Sequence, residues 1–549
     1  RVTSLAVCLL HSYANPAHEQ RIRAVAGRVA PAMHVSLSCD VLPEIREYER
    51  TVATVLNAYV RPHIGNYLQR IEDGFSAAFG QASLRLMQSN GGMISRSYAE
   101  SLPLRMLESG PAAGALAAAH LADTCGLKRI VAFDMGGTTA KACLITDGEP
   151  EVTTEFETAR VHRFKRGSGL PVKLPIIDLI EIGAGGGSIA HIDPTGLLKV
   201  GPASAGAQPG PACYGLGGAE PTVTDAALLL GYLDRHAVLS GAVRIQYDKA
   251  HAAIDAKIAR PLGLSTLDAA VGIYRIVCEQ MAAAAKIHAV EKGRDLRGYA
   301  LVAFGGAGPI HACDVARRLR CTEVVIPSDA GVYSAIGLLL APNKVDAVRS
   351  HYARLDRIDW NEVRDLLAGM ERDIARALES AGVPAAGIAF TCSADMRYVG
   401  QGFEVNAPIP RELADDSAAT IAASFKAAYA ARYVRALEDV DVEVLNWRMV
   451  GSAQTAWLAD TAYTAPAARR AAESRTRPVY FLESNGFVDT AVHAAADLAW
   501  DTSYRGPALI EQAGSTIVIG PGDAFAVDGR GMIRITVSAL SHAPIARRA

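Results

Sequence analysis

The chain has 549 residues, of which 50% are hydrophobic and 20% charged, with 55 Lys and Arg against 57 Asp and Glu. At about 150 residues per domain this length predicts three or four structural units, and the composition excludes intrinsic disorder. A net charge of −2 provides no basic field for nucleic acid or for an anionic membrane. No apolar stretch approaches the roughly 20 residues of a membrane helix, so we predict no membrane span.

Periodicity and capping signals predict the first elements in chain order. They are a strand at 5–10, a helix at 16–29, a long helix at 43–79 with a kink or break at Pro62, a helix at 109–124 and a strand at 129–133. The chain begins at Arg1 with no initiator Met and no signal peptide, and it enters an apolar run at once. We therefore expect that upstream sequence is missing.

The remaining elements alternate between strands and helices and then become rich in strands. They are a strand at 176–180, a helix at 266–292, a strand at 299–304, a helix at 309–319, a strand at 323–326, helices at 360–381 and 418–433, and strands within 478–537. The strand, helix and strand of 299–326 are typical of a parallel α/β layer. The alanine-rich residues 465–472 indicate a surface loop or short helix.

The nine cysteines are scattered along the chain and include no Cys-x-x-Cys pair. This pattern argues against a disulfide framework and against a zinc or redox motif. A reduced, cytoplasmic protein is the simplest interpretation.

The clearest chemical motif lies at 131–145, where an apolar strand runs into an acid, two glycines, two threonines and a second strand. Its central residues are Asp134, Gly136, Gly137, Thr138 and Thr139. Paired glycines let a hairpin expose backbone N–H groups, which together with the hydroxyls can bind phosphate oxygens. Asp134 can hold Mg²⁺ or its water beside those phosphates. An ordinary Gly-Gly turn is the alternative, but it leaves the acid and threonines unexplained.

A second glycine motif joins the strand at 299–304 to the next helix. It consists of Gly305, Gly306, Ala307 and Gly308. Backbone N–H groups at a helix start favour the polar groups of a nucleotide, and the absent side chains admit a flat base or sugar. A tight strand-to-helix turn explains the motif equally well. His311, one turn inside the helix, fits a structural or base-stacking role better than a catalytic one.

A third glycine cluster contains Gly185, Gly186 and Gly187 and directly follows the strand at 176–180. Four glycines in five residues imply a close backbone approach to a ligand or to another chain segment, with a flexible loop as the alternative. Four titratable residues surround the cluster without matching a standard metal template: Asp178, Glu181, His191 and Asp193.

Three further features have weaker functional interpretations. Residues 201–215 form a rigid Pro/Gly path to 221–226, where Thr224 or Asp225 is expected to cap a helix. Cys213 has no nearby His and Asp in sequence, so a nucleophilic thiol is a minority interpretation. The polar residues Arg397, Tyr398 and Gln401 fit a substrate contact, a domain interface or structural packing.

At these residues the chain resembles the hydantoinase A/oxoprolinase family, which includes A-type subunits of ATP-dependent N-methylhydantoinases and related acetone and acetophenone carboxylase subunits. The resemblance covers nearly all of the chain and includes several long motifs in the family's order, at 133–139, 181–190, 200–218, 304–312 and 397–401. It implies an α/β, actin-like and sugar-kinase-like (ASKHA) ATPase fold, with 134–139 as the second phosphate-binding hairpin and 305–308 as the adenosine loop. The expected cofactor-binding residues are Gly136, Gly137, Thr138, Thr139, Gly185, Gly186, Gly187, Gly305, Gly306, Ala307 and Gly308.

The resemblance also implies a domain division. Family members carry a first Asp-x-Gly-Gly-Thr hairpin near their N-terminus, and none lies upstream of Asp134. We therefore expect a truncated first lobe. The expected segments are a remnant of that lobe at 1–42, a central ATPase-like domain at 43–345, a helical connection at 346–389 and a smaller β-rich C-terminal domain at 390–549.

The implied activity is hydrolysis of a cyclic amide or imide, of N-methylhydantoinase or 5-oxoprolinase type. ATP would phosphorylate the unreactive carbonyl oxygen of a ring that water alone opens slowly. ATP and Mg²⁺ (or Mn²⁺) would be the cofactors, with Asp134 as catalytic residue and metal ligand. A B-type hydantoinase subunit would be the partner in a homo- or hetero-oligomer, and the truncated form is expected to be inactive alone. A ketone carboxylase subunit and a non-catalytic assembly subunit are the alternatives.

Overall fold

The computed structural model describes residues 2–80, 83–159, 161, 167–239, 243–454 and 475–538. Its helices are α1 (Ala17–Val29), α2 (Ser38–Val41), α3 (Glu47–Phe79), α4 (Arg96–Ser101), α5 (Ser109–Thr124), α6 (Val223–Leu229), α7 (Tyr247–Ile254), α8 (Arg260–Leu262), α9 (Thr266–Glu291), α10 (Gly308–Leu319), α11 (Tyr333–Leu340), α12 (Trp360–Glu379) and α13 (Ser417–Tyr433). The loop or short helix predicted at 465–472 lies outside the described residues.

The first fourteen strands lie before α6. They are β1 (Ser4–Val7), β2 (His34–Leu37), β3 (Arg85–Met87), β4 (Met93–Ser95), β5 (Arg129–Met135), β6 (Ala140–Thr146), β7 (Glu149–Pro150), β8 (Val152–Thr153), β9 (Phe156–Thr158), β10 (Leu170–Val172), β11 (Ile176–Ile177), β12 (Leu179–Ile182), β13 (Ser188–Ile192) and β14 (Leu198–Ser204). The described strands that follow α6 are β15 (Val238–Leu239), β16 (Val243–Arg244), β17 (Ala300–Phe304), β18 (Glu323–Ile326), β19 (Asn343–Arg354), β20 (Ala389–Tyr398), β21 (Val405–Ile409), β22 (Val442–Ala453), β23 (Arg475–Phe481), β24 (Gly486–Ala494), β25 (Ser503–Arg505), β26 (Ala508–Gln512), β27 (Ser515–Ile519), β28 (Ala524–Val527) and β29 (Ile533–Thr536).

Most predicted elements are confirmed to within a few residues, and two differ from the prediction. At Pro62 a kink or break is predicted, and the break does not occur, because α3 runs as one helix of 33 residues from Glu47 to Phe79. Its buried side chains lie on both sides of the proline, from Arg50 to Leu68, so tertiary packing outweighs the lost backbone hydrogen bond. A kink at Pro62 stays a prediction. The strand predicted at 176–180 is divided into the short strands β11 and β12.

The chain forms two compact units, each assembled from three segments. Unit 1 comprises 1–112, 152–176 and 341–456, and unit 2 comprises 113–151, 177–340 and 457–549. The four domain segments expected from the sequence follow the chain linearly and stay a prediction. The described strands after residue 389 are shared, because β20 to β22 belong to unit 1 and β23 to β29 to unit 2.

Unit 1 contains a six-stranded sheet in the order β21-β20-β22-β19-β4-β3. Its core includes Trp447 and Phe425, both completely buried. Helix α12 contributes Val363, Leu367 and further apolar residues at helical spacing to the same core, which explains its amphipathic sequence.

Unit 2 contains a nine-stranded mixed sheet in the order β12-β6-β5-β17-β18-β29-β28-β25, with β7 paired to β6. Strand β17 is parallel to both β5 and β18, whereas β5 and β6 form an antiparallel hairpin. Every residue of β17 is buried, as expected for a continuous apolar run in a parallel layer. The parallel pairing places the carboxyl ends of β5 and β17 at the same edge of the sheet.

Within the described ranges, no single helix is both long and apolar enough to cross a membrane. The segments Tyr247–Leu262 and Thr266–Glu291 meet the length and composition requirements only as a pair, and they are bent by 92° at the break between them.

Candidate functional site

The predicted phosphate-binding motif forms the turn between β5 and β6 in unit 2. The two strands pair up to Met135 and Ala140, and the Gly136 N–H donates to the Thr139 carbonyl at 3.1 Å. A Cβ atom at Gly136 or Gly137 would meet no atom within 4 Å. The backbone of these two glycines therefore borders open space, which leaves room for a ligand.

Asp134 lies at the carboxyl end of β5, next to this turn. Its Oδ2 accepts a hydrogen bond from Ser334 Oγ of α11 at 3.2 Å. Burial raises the pKa of the Asp134 carboxyl, while the Ser334 hydrogen bond and the charge of Lys141 lower it. The carboxylate is thus held in a defined orientation at the edge of the sheet.

The second glycine motif packs directly against the first. Phe304 at the end of β17 is in register with Asp134, and Gly305 follows with φ +82°. A Cβ at Gly305 would lie 2.5 Å from both Asp134 Oδ1 and the Met135 carbonyl oxygen. The Ala307 N–H donates to that same carbonyl at 3.0 Å before α10 begins. The loop 305–308 therefore needs glycine at its first position to pass beside the carboxylate.

The third glycine cluster packs against another chain segment, the turn between β5 and β6. The Gly186 N–H donates to the Gly136 carbonyl at 3.0 Å, and the Gly187 N–H donates to the Gly137 carbonyl at 2.6 Å. A Cβ at Gly185 would lie about 2.5 Å from backbone atoms of Thr138. The structure thus brings all three predicted loops together. A nucleotide contact by Gly185, Gly186 or Gly187 stays a prediction.

The start of α6 packs against this glycine cluster. The residue that caps the helix differs from the predicted one. Thr222, rather than Thr224 or Asp225, is the N-cap, and Asp225 completes a capping box three residues later. Thr224 instead donates from Oγ1 to the Gly186 carbonyl at 2.8 Å. Sequence alone leaves the register of the cap ambiguous because Thr222, Thr224 and Asp225 are all residue types that can cap a helix.

The fully buried Asp225 has a structural rather than a chemical environment. It accepts backbone N–H groups from Ala212 at 3.2 Å and Cys213 at 2.8 Å, and it therefore joins the Pro/Gly path to α6. Burial raises the pKa of the Cys213 thiol, and the Asp225 charge raises it further. A thiolate is disfavoured there, so the geometry does not support a Cys213 nucleophile.

Sequence reasoning does not single out Lys141, which the structure places in the same site. Its Nζ donates to Thr139 Oγ1 at 2.8 Å and lies 3.5 Å from Glu181 Oε1. Lys141 is in register with Asp134 on β5 and with Glu181 on β12, so the three charges form one row across three strands. Lys141 is the only charged residue of β6, and this is the sequence signal that could have identified it.

Among the residues that the structure describes, no group of three or more His, Cys, Asp or Glu side chains could hold a metal ion. Asp134 is a single carboxylate beside an open turn. Such an arrangement fits Mg²⁺, which is commonly bound by one or two carboxylates together with waters and substrate phosphates. A Mg²⁺ ion at Asp134 would therefore depend on a phosphate-bearing ligand.

His311 lies in the interior of unit 2 and not at the open turn. Its ring stacks on Tyr274 with centroids 5.0 Å apart, and its Nδ1 lies 3.4 Å from Cys278 Sγ. Burial lowers the pKa of His311 to about 3. Of the two roles considered from the sequence, this environment matches the structural one.

The polar residues Arg397, Tyr398 and Gln401 lie in unit 1, where each has a partner within the unit. Arg397 Nε donates to Glu443 Oε1 at 2.6 Å, and the Gln401 amide donates to Tyr429 Oη at 2.8 Å. The Tyr398 hydroxyl donates to the Leu437 carbonyl at 2.9 Å. Of the three roles considered from the sequence, these contacts favour structural packing.

Comparison with known families and proteins adds independent information. The hydantoinase/oxoprolinase family model matches residues 50–346, and the model of the hydantoinase/oxoprolinase C-terminal domain matches 358–536. An uncharacterized protein of Methanocaldococcus jannaschii is 37% identical over 96% of this chain and 76% of its own length. The caprolactamase subunit alpha of Pseudomonas jessenii is 33% identical over 98% and 76%. The acetophenone carboxylase gamma subunit of Aromatoleum aromaticum is 29% identical over 99% and 75%.

Two solved structures share the fold over nearly the whole chain. The ATP-dependent caprolactamase from Pseudomonas jessenii superposes with a TM-score of 0.81 at 32% identity, over 97% of this chain and 77% of that one. The nucleotide-free acetone carboxylase gives a TM-score of 0.78 at 25% identity, over 97% and 76%. The α/β fold with mixed sheets is thus common to all three.

Proposed function

The chain belongs to the hydantoinase/oxoprolinase family, and from that premise we propose that it is the ATP-binding subunit of an ATP-dependent cyclic amide or imide hydrolase. The observation that carries the proposal is the open turn at Gly136 and Gly137 beside the oriented carboxylate of Asp134. Relatives named caprolactamase and 5-oxoprolinase support the substrate class. The actin-like, sugar-kinase-like ATPase fold is part of the same proposal, supported by the adjoining glycine loops at the ends of β5 and β17.

The residues of the turn have distinct roles in this proposal. Backbone N–H groups of the turn and the hydroxyls of Thr138 and Thr139 bind phosphate oxygens. Asp134 holds Mg²⁺ or its water, and the loop 305–308 accommodates the adenosine at the start of α10. Bound ATP would supply the phosphoryl group that activates the amide carbonyl oxygen. The third cluster, Gly185 to Gly187, holds the turn in position through its backbone hydrogen bonds.

A partner chain is part of the proposal. Relatives are named as subunits, among them caprolactamase alpha, acetophenone carboxylase gamma and acetone carboxylase beta. We therefore expect a B-type subunit to complete the enzyme in a homo- or hetero-oligomer. The nine free cysteines, six of them buried, are in keeping with a reducing, cytoplasmic environment.

A ketone carboxylase subunit is the second candidate, favoured by the relatives that are named carboxylases. The hydrolase is preferred because the caprolactamase subunit is 33% identical over 98% of this chain, against 29% over 99% for the acetophenone carboxylase subunit and 33% over 61% for the acetone carboxylase beta subunit. Caprolactamase also has the higher TM-score, 0.81 against 0.78 for acetone carboxylase. The two reactions share a nucleotide site, so the substrate decides between them.

The experiment is to measure ADP release by the full chain, alone and with its co-purified partner, on lactams, hydantoins and 5-oxoproline. ADP release coupled to appearance of the ring-opened acid supports the hydrolase. ATP consumption that requires both a ketone and bicarbonate overturns the hydrolase in favour of the carboxylase. Nucleotide binding without turnover on either substrate class, in the presence of the partner, identifies an assembly subunit.

A further inference from the structure

The row of charges beside the turn has a distinctive order. Asp134, Lys141 and Glu181 lie opposite one another on β5, β6 and β12, so a single cation stands between two carboxylates. Directly opposite residues of antiparallel strands share one face of the sheet. The side chain of Lys141 therefore projects on the same face as Asp134, next to the open turn.

Lys141 also stands out in the sequences of the three glycine-rich segments. Residues 130–145, 176–192 and 300–311 together contain one Lys or Arg, which is Lys141. A triphosphate carries several negative charges, and backbone N–H groups supply only partial positive charges. In a nucleotide site built from these segments, Lys141 is therefore the only Lys or Arg side chain that can supply a full positive charge.

The contacts of Lys141 allow it to change partner. Its ammonium group touches Thr139 of the turn, and its ion pair with Glu181 is long, at 3.5 Å. The Glu181 side chain is 48% exposed, so water and salt screen the pair. Lysine has a flexible four-carbon stem and three rotatable donors, which lets the ammonium group follow a stronger anion.

We infer that Lys141 is the phosphate-binding cation of the turn and that Glu181 holds it there until a nucleotide phosphate displaces the Glu181 carboxylate. This inference rests on the proposed nucleotide site and adds a residue pair to it. Lys141 contacts the ligand, whereas Glu181 is a positioning residue that competes with the ligand for the ammonium group.

The test is calorimetric titration of the full chain with ATP in the presence of Mg²⁺. Lys141→Met is expected to lower the ATP affinity by about 10- to 100-fold, since a hydrogen bond to a charged group is lost. Lys141→Arg should retain part of the affinity. Lys199→Met is the matched control, because Lys199 also forms a long ion pair in unit 2, 3.9 Å from Asp193 in the β13–β14 turn, and should leave the affinity unchanged.

Glu181→Gln distinguishes competition from a merely structural ion pair. Competition predicts that this variant raises the ATP affinity by about two- to fivefold, the range expected for releasing an exposed pair. The gain should vanish when Glu181→Gln is combined with Lys141→Met. Thermal unfolding without nucleotide should show nearly the same midpoint for every variant, which separates binding from folding.

Four results would overturn the inference. Equal ATP affinities of the wild type and Lys141→Met would remove Lys141 from the site while leaving the proposed function intact. A gain from Glu181→Gln that persists without Lys141 would show direct repulsion of phosphate instead of competition, and a loss of affinity would show a structural pair. Absence of ATP binding by the wild type would overturn the proposed function together with this inference.

Discussion

Two loops of unit 2 both contain consecutive glycines, but the glycines have opposite environments. A Cβ at Gly136 or Gly137 would meet nothing within 4 Å, whereas a Cβ at Gly185 would collide with the backbone of Thr138 at about 2.5 Å. The second loop donates two backbone hydrogen bonds to the first. Glycine therefore serves two purposes in adjoining loops, exposure of the backbone in one and close packing in the other.

The difference indicates that the two loops have separate roles in the proposed site: one faces the ligand and the other holds the first in place. A turn that exposes its own N–H groups to a ligand has few contacts of its own to hold it, so its position depends on neighbouring structure. The packed cluster, the capped start of α6 and the loop 305–308 provide that support. Substitutions on the open side should thus affect ligand chemistry, and substitutions on the packed side should affect folding.

The largest expected effect belongs to the open side. Asp134→Asn should reduce ATP turnover by the full chain and its partner by about 1,000-fold or more, because the neutral amide no longer stabilises the metal and the developing charge. The measurement is steady-state ADP release. Asp193→Asn, in the β13–β14 turn of the same unit, should have no effect. Unchanged turnover of Asp134→Asn would remove Asp134 from the mechanism.

On the packed side, Gly185→Ala should lower the free energy of unfolding by about 3 kcal/mol, because the new methyl group overlaps backbone atoms that have no room to move. Gly136→Ala, which adds the same methyl group in open space, should change it by less than about 0.5 kcal/mol. Urea unfolding of both variants checks the pair. Equal losses of stability would show that the two loops are equally packed, which would contradict the difference between an open turn and a packed loop.

The buried His311, on helix α10 after the loop 305–308, is a further residue on the packed side of the site. Burial lowers the pKa of His311 to about 3, below its usual value near 6.5. Between those values the unfolded chain binds a proton that the folded chain excludes, so stability should fall as pH drops from 6.5 towards 3, by about 1.4 kcal/mol per pH unit at most. Above pH 6.5 this contribution is fully present.

The measurement for His311 is urea unfolding at a series of pH values from 7 to 4. His311→Gln removes the titrating group, and its stability should depend less steeply on pH over this range. The comparison uses the slope of the free energy of unfolding against pH in each protein. Packing lost in the variant shifts the absolute stability but not this slope. The same slope in both proteins would mean that other groups account for the acid sensitivity and that His311 is not shielded from protons.

The smallest expected effect concerns the support behind the packed loop. Thr224→Val removes the hydroxyl that donates to the Gly186 carbonyl at 2.8 Å and should cost about 1 kcal/mol of stability. Thr146→Val is the control, since the Thr146 hydroxyl is buried without a hydrogen-bond partner in the described structure, and its removal should be neutral or stabilising. Thermal unfolding of the two variants gives the comparison, and a larger loss for Thr146→Val would contradict it.

The sequence predicts local features of the site well and long-range ones poorly. The hairpin of 134–139, the loop 305–308 before α10 and the helices α5, α9, α10 and α12 follow from short-range signals, and the family resemblance is confirmed. The sequence places the helix cap two or three residues after Thr222, because neighbouring polar residues offer equivalent acceptors. It does not predict the row of Asp134, Lys141 and Glu181, since this row depends on how β12 pairs with β6 across a long connection.

The glycine-rich strand ends of the chain and its motifs thus determined the family, the α/β class and the position of the turn that we propose to bind phosphate. These features depend on residue type and local spacing, which the sequence contains directly. Only the tertiary structure decided which glycine loop is open, which charges face the turn, and that each compact unit draws on three separate segments. The surroundings of a residue depend on the residues that pack against it. Here those residues, such as Thr138 against Gly185 and Lys141 against Glu181, are tens of positions away along the chain.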